Sequence, residues 1–194
     1  MHISRLLVFI PLLFLAKNAF PQKLELKVIM MDKSRSEIND TIYYSWQHPL
    51  SWDDFKGTPD LKNPAGAVTA SGYAYNAGIV RDNDEIFIKI SIYTFFVKHE
   101  SWKKSIINDP YHLIHEQHHF DISRLGAEDF YNKLTHTEIT AANYKTLIGN
   151  LFDKSYNENI ALQEKYDNET QHSIKTREQL AWNQLIEKEI KNIK

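Results

Sequence analysis

Cysteine is absent from the 194-residue chain. That excludes disulfides, thiolate metal sites, a cysteine nucleophile and a lipid-bearing N-terminal cysteine. Any metal would have to be held by histidine and carboxylate. A long run of one charge sign is also lacking: 23 Lys and Arg stand against 25 Asp and Glu, for a formal net charge of -2. Binding to nucleic acid or to an anionic membrane needs a concentrated basic surface, and none is present. No internal repeat, low-complexity tract or linker divides the chain. With 42% hydrophobic and 25% charged residues, it suits one globular domain that relies on its own core.

Long apolar runs are scarce too, and the main one sits at the N-terminus. Residues 6–16 (LLVFIPLLFLA) come after a short segment with one cation, Arg5, and the sequence turns polar after Pro21. The run is too short to cross a bilayer as a stable helix but has the length of a signal-peptide core. Residues 1–21 are read as an export signal cut between Ala19 and Lys23. Residues 22–194 are then a single domain, periplasmic or extracellular, with no stable membrane insertion after signal removal.

The mature domain divides into a β half and an α half. Residues 23–31 (KLELKVIMM) and 41–46 (TIYYSW) have strand composition, separated by a polar connection at 34–40. Residues 50–55 (LSWDDF), closed by Gly57 and Pro59, predict a short helical turn with Trp52 and Phe55 on one side. Residues 65–78 are rich in small side chains, which permit close backbone approach. Residues 85–96 (EIFIKISIYTFF) alternate, with Ile86, Ile88, Ile90 and Ile92 on one face. With a turn at 81–84, the two stretches predict an antiparallel hairpin. From about Ser101 the β signals stop. Asp109-Pro110 is a helix start, and the spacing predicts helices over 110–134, 139–165 and from Thr176 to the end. Ile114, Leu125, Phe130 and Leu134 are the expected core positions of the first. The result is an α+β fold: an N-terminal antiparallel sheet, then a helical half.

Nine histidines are present, five of them between His99 and His119. Within the first predicted helix, His115-Glu116-Gln117-His118-His119 forms an H-E-x-x-H sequence. Residues four apart share a helix face, so His115 and His119 can present two imidazole nitrogens to one ion. Glu116 is poorly aimed as a ligand but can take a proton from water beside the metal, the division of labour of zinc peptidases. His118 is one position off the ligand stripe and reads as surface first, or else as a residue behind the ligands; His136 reads as loop.

Catalytic zinc normally has three protein ligands. A third histidine after a glycine six residues on is not available. Asp121 and Glu128 are badly aimed around the helix; Asp121 reads as bonding locally or anchoring the helix. Residues 166–173 (YDNETQHS) read as a turn-prone interruption between helices. His172 is the favoured third ligand there, with Asp167 as the alternative ligand or as an acceptor that orients a histidine. Tyr166 is a candidate donor to the oxyanion formed when water attacks a carbonyl.

The stretch His115-Glu116-Gln117-His118-His119-Phe120-Asp121-Ile122 resembles the signature of a family of predicted secreted bacterial zinc-dependent proteases, catalogued as a domain of unknown function. Residues 50–57 (LSWDDFKG), 67–72 (AVTASG), Ser101-Trp102 and the set Tyr166, Asp167, Thr170 and His172 resemble further parts of it, in order, from about Thr41 to the C-terminus. His118 departs from the family pattern, which has a small residue there. The resemblance implies a zincin-like α+β domain with peptidase chemistry: Zn2+ on His115, His119 and His172, Glu116 as general base, and a peptide or protein substrate. An extended substrate would pair with the strand at 65–75. The rival expectation is a non-catalytic envelope binding protein in which zinc is a structural staple.

Overall fold

The isoleucine alternation of residues 85–96 builds the centre of the molecule. The computed structural model describes residues 22–31, 37–38 and 40–193. The predicted export signal and part of the 34–40 connection lie outside the described residues. The elements run β1 (Lys23–Met30), β2 (Glu37–Ile38), β3 (Thr41–Tyr43), a 3-10 turn (Trp52–Asp54), β4 (Ala67–Val68), β5 (Ser71–Asp82), β6 (Glu85–Val97), β7 (Trp102–Lys103), α1 (Pro110–Thr135), α2 (Tyr144–Thr170) and α3 (Thr176–Asn192). This is an α+β architecture with a mixed sheet and three helices. Among the described residues, no helix is long and apolar enough to cross a membrane.

The predicted hairpin is β5–β6, in register from Ser71 opposite Phe96 to Asp82 opposite Glu85. Asn83 closes it in the left-handed region (φ 49°), which asparagine tolerates better than most residues. The sheet is mixed rather than purely antiparallel as the sequence predicts, because β1 runs parallel to β6 from Lys23 opposite Glu85 to Met30 opposite Ile92. β6 has 13 residues against 8 in β1, which leaves room on the same edge for β3, antiparallel at Thr41 opposite Val97. Strand 41–46 is shorter than predicted, and Ala67–Val68 leaves the main sheet to pair with β7, a strand the sequence does not announce.

Ile86, Ile88, Ile90 and Ile92 are each no more than 2% exposed. They pack with Ala127, Phe130 and Leu134 of α1 and with Tyr144 and Ile148 of α2. Each such side chain contributes about 1.5–3 kcal/mol relative to exposure. The Asp109 side chain caps α1 by accepting the His112 N–H at 3.0 Å, with Pro110 in the first turn; such a cap contributes about 1 kcal/mol. Ile114 is not a core residue: it is exposed, because His115 and Glu116 take the inward strip at that end of the helix. Phe55 is buried and its ring meets Trp52 at 5.0 Å, the shared side predicted for that turn.

Where α1 crosses α2 and β5, Gly126 is required by space. A Cβ there would lie 2.6 Å from Asn159 Nδ2 and 2.7 Å from the Tyr73 ring. That close approach lets Asn159 donate to the Ile122 carbonyl at 2.7 Å. α3 closes the far side of α1 through Trp182, Ile186 and Ile190, against Ile122 and Tyr166.

Candidate metal centre

α1 places His115 and His119 one turn apart, with their Nε2 atoms 3.3 Å from each other. Asp167 comes across from α2, its Oδ1 3.2 Å from His115 Nε2 and 3.1 Å from His119 Nε2. These three atoms form a near-equilateral triangle. His172 stands at its margin, Nδ1 3.2 Å from the same Asp167 oxygen; the donor atoms of His115, Asp167 and His172 all lie within 4.8 Å of one another. The site therefore brings together both residues that the sequence leaves open for the third position. Asp167 touches both imidazoles, whereas the His172 side chain is 46% exposed.

Residues 166–170 are not a loop. They are the last turn of α2, held by burial of Tyr166 and Thr170 and by the Thr170 hydroxyl, which donates to the Tyr166 carbonyl at 2.7 Å. Tertiary packing overrides local turn propensity here. The reversal comes at Gln171, His172 and Ser173, all with positive φ.

Tyr166 does not have the role expected of it. It is fully buried behind the imidazoles, stacked on His115 with centroids 4.7 Å apart. Its hydroxyl accepts from Gln179 Nε2 at 2.6 Å and donates to the His115 carbonyl at 3.4 Å. A group so engaged is a wall of the site, not an oxyanion donor. His118 is likewise not on the surface: it is 4% exposed, with Nδ1 3.0 Å from Asp121 Oδ2. Tyr44, just after β3, covers that side of α1 and donates to Asp121 Oδ1 at 2.8 Å. Asp121 thus bonds locally to His118 and also ties α1 to Tyr44, and His136 sits exposed at the C-terminal end of α1.

Glu116 is buried, and its Oε2 accepts from the Thr69 hydroxyl at 2.7 Å. Thr69 belongs to the small-residue segment between β4 and β5, and sequence alone does not single it out, nor Gln163 and Gln179. Gln163 Oε1 is 2.6 Å from His119 Nδ1, and Gln179 Oε1 is 2.8 Å from His115 Nδ1. Gln163 carries one legible signal: it lies four residues before Asp167, on the same face of α2.

The charges agree with the distances. Burial opposes a proton on His119, but the hydrogen bond and charge of Asp167, the charge of Glu116 and the Gln163 contact outweigh it, and its pKa is pushed up to about 9. Burial would raise the Asp167 carboxyl, yet contact with the His115 and His119 rings and the charges of His119 and His172 hold it well below the usual carboxylate range. A carboxylate oxygen and two imidazole nitrogens so close together need a cation between them. In the metal-free chain a proton on His119 serves; the donor set, two nitrogens and a carboxylate oxygen, equally suits zinc.

The donors and Glu116 open onto a cleft of about 410 Å³. Val68, Thr69 and Gly72 line one wall, and Asn159, Ile160 and Glu164 of α2 line the other. β5 is an edge strand of the sheet among the described residues. Because the Val97 N–H donates to Ala70 O, antiparallel alternation turns the backbone groups of Ser71 away from β6 to the open edge. Comparison with models of protein families, with curated proteins and with solved structures finds no match to this chain.

Proposed function

We propose that this chain is an exported zinc-dependent hydrolase of the peptidase type, with a zincin-like arrangement of sheet edge and metal-binding helix. His115, His119 and Asp167 would hold the ion, with His172 beside them. The observation that carries this reading is the triangle of donors. Its edges of 3.3, 3.2 and 3.1 Å lie close to the ligand–ligand separation of about 3.3–3.4 Å required by tetrahedral zinc with bonds of about 2.0–2.1 Å.

Zinc bound there supplies Lewis acidity, polarising a carbonyl and making water acidic enough to ionise near neutral pH. Glu116 takes the proton of the attacking water and returns it to the leaving amine. Thr69 holds the Glu116 carboxylate in place. The open edge of β5 offers main-chain donors and acceptors to an extended peptide, which favours a peptide over a compact substrate.

A second reading is a structural zinc site in a binding protein, favoured by the fourth donor: His172 lies 3.2 Å from Asp167 Oδ1, and structural zinc sites are closed by four protein ligands. Metal analysis and a peptide library read by mass spectrometry separate the readings. The purified domain is expected to carry about one zinc per chain, to lose it in His115→Ala and His119→Ala, and to cleave library members only when zinc is bound. Full zinc occupancy in both variants would sink the metal assignment. Zinc loading without cleavage of any peptide would favour the structural reading.

A further inference from the structure

Two glutamines, from two different helices, contact the two imidazoles on their outer nitrogens. Gln179 of α3 is fully buried, and its amide nitrogen donates to the Tyr166 hydroxyl at 2.6 Å and to Asn183 Oδ1 at 2.7 Å. Both amide hydrogens are thus committed to oxygen acceptors, so the atom facing His115 Nδ1 at 2.8 Å is the amide oxygen. Gln163 of α2 repeats the arrangement. Its nitrogen donates to the His119 carbonyl at 2.9 Å and approaches Ser123 Oγ at 3.3 Å, which leaves the oxygen facing His119 Nδ1 at 2.6 Å. An amide oxygen only accepts, so each Nδ1 must carry hydrogen. In a neutral ring the lone pair is then on Nε2, the atom that faces Asp167.

We propose that Gln163 and Gln179 are positioning residues: they fix the Nδ1–H tautomer of His119 and His115, aim both Nε2 lone pairs at one point, and so set the affinity of the site for zinc. The inference rests on the zinc reading of this site. It also makes α3 part of the centre, because Gln179 reaches His115 only when α3 is docked on α1. The acceptor is a neutral amide. A carboxylate in its place would make the imidazole a stronger donor and tighten zinc binding, since outer acceptors tune ligand basicity.

The test uses the full mature chain and zinc alone. Gln163→Met and Gln179→Met keep side-chain length but remove the acceptor, and zinc affinity measured by competition with a chelator is expected to fall about 10–100-fold in each. A role in packing alone predicts zinc affinity near the parent in both Met variants, and that result overturns the proposal. A second measurement needs no metal. Long-range nitrogen–proton spectra of the zinc-free chain are expected to find a proton on His115 Nδ1, opposite the Gln179 oxygen, with that preference lost in Gln179→Met. A proton resident on Nε2 of His115 would refute the positioning role even if zinc binds, whereas Nδ1–H in a chain that never binds zinc would keep it and sink the metal reading.

Discussion

Glu116 and Thr69 hold each other across the mouth of the cleft, the threonine hydroxyl donating to the carboxylate at 2.7 Å and, more weakly, to the Glu116 carbonyl at 3.2 Å. The bond fixes the carboxylate against α1 and leaves it facing the cleft. Glu116→Gln changes neither ligand nor shape, so zinc content and thermal stability are expected to stay near the parent. Hydrolysis is expected to fall about 10²–10⁴-fold, the usual size of a general-base contribution. Cleavage surviving unchanged in Glu116→Gln would remove Glu116 from the mechanism.

Asp167 touches both imidazoles, whereas His172 touches only Asp167. Asp167→Ala is therefore expected to abolish measurable zinc binding. His172→Ala should weaken it by less, about tenfold, a loss of about 1.4 kcal/mol. Equilibrium dialysis of the two variants checks the order; a larger loss from His172→Ala would give the third position to His172.

In the metal-free chain the proton on His119 is held up to about pH 9, so zinc has to displace it. Uptake at neutral pH is expected to release about one proton per ion from this ring. Calorimetry in two buffers of different ionisation enthalpy measures that number, and a release of zero contradicts the assignment. Stability of the metal-free chain depends on the same groups. His119 has a raised pKa, so its contribution is present below about pH 6.5 and lost as pH rises through about 9. Asp167 has a lowered one, so its contribution is present above about pH 4 and lost in stronger acid. The metal-free chain should unfold at its highest temperature between about pH 4 and 6.5, with zinc shifting that optimum to higher pH.

Gly126→Ala tests the packing beneath the site. Alanine favours the helix by about 1 kcal/mol, but the added methyl meets Asn159 Nδ2 and the Tyr73 ring below 3.0 Å. Overpacking of this kind costs about 1–3 kcal/mol. A lower melting temperature is expected, and an unchanged or higher one would mean that α1 and α2 are less tightly apposed than the structure has them.

The alternation of residues 85–96 and the pair His115 and His119 are legible in the sequence because period 2 and spacing 4 are local properties of the backbone. The direction of β1 is not, since an alternating strand looks the same parallel or antiparallel. The end of α2 misleads for a related reason. Asn168, Thr170 and Ser173 favour turns locally, but burial of Tyr166 and Thr170 against α1 and α3 decides the outcome, and burial is not local. Gln179 is invisible, and Gln163 is marked only by its spacing of four from Asp167, because an amide announces no chemistry until the atoms opposite it are known.

Gln171, His172 and Ser173 have φ of 49°, 52° and 70°, and none is glycine. Left-handed backbone costs roughly 1–2 kcal/mol for each such residue, so the reversal between α2 and α3 behaves as a wound spring. Several hydrogen bonds hold it, among them the Lys175 N–H on the Thr170 carbonyl at 2.9 Å and the Tyr111 hydroxyl on the Ser173 carbonyl at 2.6 Å. Gln179 meets His115 from α3 and His172 meets Asp167 from the reversal, so the docking of that one helix and the shape of this one turn bear together on the histidines and the carboxylate.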